Sequence, residues 1–427
     1  MNVVHVCASD IIGGAARAVF RLHRALRAHG GVESRMLVRE RASDDPGVVV
    51  HAPRLSPRYL LNMEVARRAK DIYWARFASE NAVMHSRADV RTGLLQSLAK
   101  LPCDLVHLHW LGSNTLSIEE IGQIDRPVVW TLHDMWTFCG AEHYVPDEPG
   151  ARFRTGYDAG NRTKGEGGPD MNRSVWLRKR HAWKRPMTLV CPSRWMAECA
   201  YASVLCRDWP IHRIANPLDL ERWKPLPKAQ ARTLLGLPLD NKIMLFGAIG
   251  GERDRRKGSD LLRAVLHELK KFGAEAHLAV FGQSGPVNPE PFPFPVTYLG
   301  RLQDDLSMIL AYNAADVMLV PSRQDNLPQT AVEAHACGIP VVAFDVGGLS
   351  DIVGDRQTGF LAPAFDVRQF AGSVAMLLSD DPLRREMSLA ARASALEIFA
   401  APLVARAYVE LYAQVLSGGS GAGHLTT

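Results

Sequence analysis

The chain of 427 residues contains no apolar run near the roughly 20 residues that a membrane span requires. It opens on a short apolar stretch, NVVHVCA, followed at once by Ser9 and Asp10. No basic leader, long apolar region or small-residue cleavage site precedes that stretch, so no secretory signal is expected. The seven cysteines are odd in number and include no Cys-x-x-Cys pair. They suit a reducing cytosol better than a disulfide framework. The first strand is not followed by Gly-x-Gly-x-x-Gly, which argues against a nicotinamide cofactor. GQSGP lacks the last glycine of a nucleophile elbow, which disfavours a serine hydrolase. No short repeat is visible.

What is present is an ordinary globular composition, 47% hydrophobic and 22% charged, in a chain long enough for two domains. The net charge of +5 is unevenly spread. Residues 1–215 hold 30 Lys and Arg against 22 Asp and Glu, a net +8, and the remainder holds 20 against 23, a net −3. Cations mix with aromatic and aliphatic residues in RLSPRYLLNMEVARRAKDIYWARF (54–77) and RSVWLRKRHAWKRP (173–186). Such segments fit either solvated helix faces or contact with an anionic membrane surface or a phosphorylated acceptor. No nucleic-acid motif accompanies the charge, so nucleic acid is not an expected partner.

Strands and helices alternate in both halves. NVVHVCA predicts a buried strand, SDIIGG a turn, and AARAVFRLHRALRAHGG a helix stopped at Gly30. DLVHLHWL (104–111), PVVWTLHDMW (127–136) and MTLVCPS (187–193) predict further strands, with a long polar loop over 139–175. RIANPLDLERWKP (213–225) has the prolines and polar residues of a linker. A second series follows: KIMLFGAIGG, GSDLLRAVLHELKKFG, AHLAVFG, a proline-rich loop, DLSMILAYNAA and DVMLVPS, then late helices. The pattern predicts two doubly wound parallel sheets, in which ligands sit at strand C-termini and, between two domains, in a cleft. The expected domains are 1–215 and 216–395, with a helix over about 396–416 returning to the first and a disordered tail over 417–427.

The richest stretch is PSRQDNLPQTAVEAHACGIPVVAF, residues 321–344. Pro328 suits a helix start, Gly338 a helix stop, and Pro340 prevents resumption before PVVAF. Asp325 therefore lies in the loop before the helix and Glu333 about a turn and a half inside it. A helix N-terminus offers free N–H groups and partial positive charge to a phosphate or sugar. A helix cap and a surface glutamate are the plainer reading of the same two acids.

The stretch resembles the Glu-x7-Glu signature of the retaining glycosyltransferases of family four, which have the GT-B fold. The matching residues are Pro321-Ser322, Asp325, Glu333-Ala334, Cys337-Gly338-Ile339-Pro340-Val341-Val342 and Gly347-Gly348. The first acid is Asp rather than Glu, one methylene shorter. Supporting elements follow in order over nearly the whole chain. IIGGAARAV resembles the N-terminal glycine turn, placing the backbone of Gly13 and Gly14 near donor or acceptor. TLHD resembles the strand end whose histidine contacts the donor sugar, here His133, with Asp134 and His109 assigned to the acceptor side. DRRKGSDLL resembles the diphosphate-binding element, with Lys257 as the cation and Arg253 or Arg256 as its neighbour. VTYLGRL, around Arg301, resembles the segment that meets the nucleotide base, and Asn326, Leu327 and Glu333 complete the donor side.

The resemblance implies an α/β GT-B fold, two doubly wound parallel-sheet domains facing a cleft, and a hexosyltransferase-like activity on a nucleotide-sugar donor. His133, Asp325 and Lys257 carry the catalytic roles. The acceptor implied is a glycan or a polyprenyl-diphosphate-linked sugar in surface-polysaccharide or glycolipid synthesis. An anionic inner leaflet is the surface on which a cytoplasmic, peripheral enzyme would dock. No Asp-x-Asp pair occurs, and two histidines do not make a metal site, so no metal or cofactor is expected. A non-hydrolysing sugar-nucleotide epimerase and a non-catalytic sugar-nucleotide-binding protein are the alternatives.

Overall fold

A computed structural model describes residues 1–51, 68, 71–112, 114–247, 254–283, 285 and 292–418. The apolar runs form parallel strands, as expected for sheets covered on both faces. The first sheet contains β1 (Asn2–Ser9), β2 (Glu33–Glu40), β3 (Val48–Val50), β4 (Leu105–Leu108), β5 (Val128–Thr131), β6 (Thr188–Cys191) and β7 (Ile211–Arg213). Their order is β3-β2-β1-β4-β5-β6-β7, every neighbour parallel. The second contains β8 (Ile243–Gly247), β9 (His277–Phe281), β10 (Val296–Gly300), β11 (Val317–Val320), β12 (Val341–Phe344) and β13 (Gly359–Ala362). Its order is β10-β9-β8-β11-β12-β13, again all parallel. Strand order reverses between β1 and β4 in one sheet and between β8 and β11 in the other, and the carboxyl ends at such switch points are where doubly wound folds bind ligands.

Each sheet belongs to its own compact unit: Met1–Pro217 with the chain from Val404, and Leu218–Leu403. Six helices matter below: α1 (Gly14–His29), α2 (Met171–Ala182), α3 (Ser259–Lys271), α4 (Asp305–Ala314), α5 (Gln329–Ala336) and α6 (Ala401–Leu416). In the first unit α6 is tied to the sheet through polar bonds in a dry core. Tyr412 meets His107 Nδ1 at 2.7 Å, and Tyr408 meets Thr131 Oγ1 at 3.0 Å. Thr131 in turn meets His107 Nε2 at 2.8 Å, so one histidine on β4 and one threonine on β5 hold two tyrosines of α6. In the second unit the buried Asp316 collects Lys228 at 2.6 Å, Arg232 at 2.7 Å and the amide of Ile243 at 2.7 Å.

Several expectations are corrected. The 213–225 segment carries the boundary between the two units, but it is packed rather than loose: Leu218, Leu220 and Trp223 are buried, and Leu218 N–H donates to Phe399 at 2.8 Å. The strand expected over 127–136 ends at Thr131, because His133 onward turns into a loop. The 139–175 loop is packed, with Tyr144, Phe153 and Tyr157 in the core and Arg152 paired to Asp170 at 2.8 Å. Strands β2, β3, β7, β10 and β13 were not anticipated. The second basic segment lies on and just after α2, where Arg178 is bound to Glu119 and to the carbonyls of Arg87 and Ala88. Arg180, His181, Lys184 and Arg185 are exposed. Most of the first basic segment and residues 419–427 of the expected tail lie outside the described residues. No helix among the described residues is long and apolar enough to cross a membrane.

Replacing Tyr412 with Phe leaves the His107 Nδ1 atom without its partner in a site that water does not reach. The variant should unfold about 1–3 kcal/mol more easily in urea, and an unchanged midpoint would remove the tyrosine clamp from the account of this fold.

Candidate functional site

In the second unit, the site residues gather where β8, β11 and β12 end. After β8 the chain re-enters description at Asp254, which caps a single 3₁₀ turn, Arg255–Lys257. Gly258 follows with φ +69°, and a Cβ there would stand 1.9 Å from the carbonyl oxygen of Pro321. This contact, open only to glycine, brings the loop after β11 directly onto the turn. Arg323 then locks the two together, its N–H donating to the carbonyl of Arg256 at 2.7 Å. Its guanidinium forks onto Asp260 at 2.7 and 2.6 Å. From the other side Gly347, φ +58°, would place a Cβ 2.0 Å from the carbonyl oxygen of Asp325, which accepts from Gly348 N–H at 3.0 Å.

Held in this way, Asp325 is only 6% exposed and its Oδ2 meets Lys257 Nζ at 2.5 Å. Arg256, beside it, pairs with Asp254 at 2.7 Å and reaches the carbonyl of Gln324 at 3.4 Å. Asn326 and Leu327 are buried, and Pro328 caps α5 without a side-chain hydrogen bond, its carbonyl accepting from the amides of Ala331 and Val332 at 3.1 and 3.3 Å. Glu333 is 1% exposed and accepts a hydrogen bond from the Tyr312 hydroxyl of α4 at 2.8 Å. It is therefore not a surface residue. Arg256, Lys257, Asp325, Asn326 and Leu327 are thus one cluster, with Glu333 just inside the adjoining helix. Arg301 stands apart, exposed just past the edge strand β10. Arg253 lies outside the described residues.

In the first unit, Gly13 caps α1 with φ +94°, and nothing lies within 4 Å of the position a Cβ would take at Gly13 or Gly14. The backbone of this turn is open to a ligand. Beneath it Asp10 accepts from the amides of Ile11, Ala42 and Ser43 at 2.9, 2.9 and 2.8 Å. Burial alone would raise its carboxyl, and these bonds, with the Ser43 hydroxyl, hold it below the ordinary range.

Past β5, His133 Nε2 meets His109 Nδ1 at 3.3 Å, and His109 Nε2 meets His5 Nδ1 at 2.9 Å. His109 is 3% exposed. Asp134 is committed to His143 Nδ1 at 2.6 Å and the Trp136 amide at 3.0 Å, and His143 Nε2 meets Ser86 Oγ at 2.7 Å. Burial would raise the Asp134 carboxyl, but His143 and the Trp136 amide hold it low. The loop after His133 is braced by Lys179 of α2, whose ammonium donates to the carbonyls of Trp136, Cys139 and Gly140. Burial pushes that lysine down to about 7.

His5, Tyr312, His143, Ser86 and Lys179 are absent from the sequence-based site. His5 and His107 are direct neighbours across β1 and β4, a pairing that spans about a hundred residues and leaves no local signal.

The model described as "Glycosyltransferase Family 4" matches residues 12–222, and that described as "Glycosyl transferases group 1" matches residues 240–380. D-inositol 3-phosphate glycosyltransferase of Saccharomonospora viridis is 31% identical over 228 residues, 49% of this chain and 52% of that protein. The chain thus spans about half the length of the curated relatives it matches. Among solved structures, sucrose-phosphate synthase from Thermosynechococcus elongatus aligns with a TM-score of 0.68 at 20% identity, over 98% of this chain and 99% of that one. Anabaena HepE in complex with UDP and glucose aligns with a TM-score of 0.62 at 15% identity, over 97% and 100%. These likenesses identify the two-sheet fold as GT-B.

Burial drives the imidazoles of His5, His107 and His109 well below their ordinary value of 6.5, and that of His133 down to about 4. Between pH 6.5 and 4 the unfolded chain therefore binds protons that the folded one refuses, so stability must fall as the pH falls through this window. Each such histidine costs roughly 2 kcal/mol at pH 5. Glu142, whose carboxyl burial lifts to about 7, acts in the opposite direction and offsets about one of them. Urea unfolding at pH 7.5 and pH 5 should show the net loss, and equal stabilities would contradict neutral buried rings.

Proposed function

Since the chain belongs to the family 4 glycosyltransferases, we propose that it moves a sugar from a nucleoside diphosphate to an acceptor hydroxyl, with retention at the anomeric carbon and without a metal ion. The observation that carries this reading is the Lys257–Asp325 pair, 2.5 Å apart, fixed between two obligatory glycines at the start of α5. Breaking the anomeric C–O bond sends its electron pair to the leaving diphosphate and leaves positive character on the sugar. Fixed cations and amides answer the first charge without reorganising. Lys257 supplies three donors, so it can keep Asp325 and still grip a phosphate oxygen. Arg256 and the first amides of α5 add to this grip.

Asp325 then lies where the sugar hydroxyls and the developing cation would be, with Asn326 and Leu327 beside it. Glu333, oriented by Tyr312, is assigned to the ribose, and the backbone around Arg301 to the base. In the first unit, the open amides of Gly13 and Gly14 and the ring of His133 are assigned to the donor, and His109 and Asp134 to shaping the acceptor side. No side chain is assigned as a covalent nucleophile. The new C–O bond forms on the face the diphosphate leaves, and the acceptor proton passes to a phosphate oxygen. A glycan or a polyprenyl-diphosphate-linked acceptor in surface-glycan synthesis fits the +8 charge of residues 1–215, and the relatives' named action on an inositol phosphate also favours a phosphorylated acceptor. The exposed cations on and after α2 would dock the enzyme on an anionic inner leaflet. UDP-sugars are the first donors to try, because HepE is seen with UDP and glucose.

Lys257→Ala should lower kcat about 10²–10³-fold on whichever donor is used, with the fold intact. The product anomer, read by proton NMR, should match the donor's, and turnover should persist in EDTA. A Lys257→Ala enzyme within threefold of wild type would sink the assignment of this site. Inversion of the anomer would sink the proposed displacement, and release of an epimerised sugar nucleotide would favour an epimerase.

A further inference from the structure

A neutral imidazole has one N–H and one bare nitrogen. Three such rings joined nitrogen to nitrogen therefore share a single choice: all their protons point one way along the chain or all point the other. His5, His109 and His133 are joined in this manner, at 2.9 and 3.3 Å. The far end of the chain is His5 Nε2, which is buried and has no hydrogen-bond partner among the described residues. The near end is His133 Nδ1, which no described residue engages.

If the protons point from His5 toward His133, the orphan atom is a bare acceptor. His5 Nδ1–H then donates to His109 Nε2, and His109 Nδ1–H donates to His133 Nε2, which leaves His133 with its proton on Nδ1. If they point the other way, the orphan is a buried N–H, and orphaned buried N–H groups are the rarer kind in folded proteins. We propose that His5 and His109 are positioning residues that fix His133 as the Nδ1–H tautomer, so that it meets the donor sugar only as a hydrogen-bond donor. The contact with the sugar rests on the reading of His133 given above; the tautomer does not. Burial keeps the rings neutral, since each has its pKa pushed down. In this tautomer the place left for an added proton is His5 Nε2, a buried atom with no partner among the described residues.

A divalent cation is the competing use of these rings, because ligand atoms of His5, His107 and His109 lie within 4.8 Å of one another. Their lone pairs are largely spoken for. His107 faces Tyr412 and Thr131 hydroxyls on its two nitrogens, and His5 Nδ1 and His109 Nε2 face each other. An ion would have to break these bonds.

The test is a long-range ¹⁵N–¹H correlation spectrum of the full chain labelled on histidine, at pH 7.5, with His133 assigned through His133→Gln. The expected result is a neutral His133 protonated on Nδ1. A neutral His133 protonated on Nε2, a charged one, or stoichiometric zinc in the purified protein overturns the proposal. In His5→Leu the single tautomer of His133 should be lost and kcat/KM should fall about tenfold. His5→Asn, which can present an amide N–H at the Nδ1 position, should restore most of both. A folded His5→Leu protein with an unaltered His133 signal also overturns it, and if that variant does not fold the wild-type spectrum decides alone. The expected spectrum together with a fully active His133→Gln enzyme would instead sink the sugar contact and leave the tautomer standing.

Discussion

The loop between β11 and α5 has its shape because two neighbouring turns lack side chains. Gly258 lies against the carbonyl of Pro321 and Gly347 against that of Asp325, each at a distance no Cβ tolerates. Both also hold positive φ, so the steric and conformational demands fall on the same residues. The backbone of residues 321–325 is thereby clamped from two sides before any charge is considered. The Lys257–Asp325 contact, the burial of Asn326 and Leu327, and the direction of α5 all follow from that clamp.

Charge within the cluster is closely balanced. Arg256 faces Asp254, Arg323 faces Asp260 and Lys257 faces Asp325, so the described cations outnumber the acids only through Arg255. A cluster of this kind carries little bulk charge; it offers fixed donors in a fixed geometry. That distinction matters for the shorter acid. The Asp325 carboxylate contacts the lysine directly, so the acid and the cation are held as one unit. Substituting either one alone leaves the other partly buried and unpaired, which is costly in a way that an exposed pair is not.

Much of this was legible in the sequence because the signals were local. The PSRQDNLPQTAVEAHACGIPVVAF stretch carries its own helix start, stop and following strand, and the structure places α5 and β12 on them. Glycine turns and buried strands were similarly readable at β1, β8 and β11. What failed was information held in register and packing. ESRMLVRE mixes charges with apolar residues because its central positions are buried while its end meets solvent, so β2 was not anticipated. RIANPLDLERWKP joins the two units as its composition suggests, but its packing was hidden: Leu218 pairs with Phe399 across about 180 residues. Tyr312 reaches Glu333 from another helix, and no spacing rule connects them.

His107 of β4 and His109, just past its end, serve two purposes. Side chains alternate along a strand, so His107 and His109 share a face. His107 turns its nitrogens to Tyr412 and Thr131 and so anchors α6, whereas His109 passes its hydrogen bonds between His5 and His133. Their ring centroids lie 4.0 Å apart with the planes tilted by 35°. A shift of α6 along its axis would disturb the Tyr412–His107 bond, and His107 lies in ring contact with His109. Helix α6 and the ring of His133 thus each meet one of two neighbouring histidines at the end of β4.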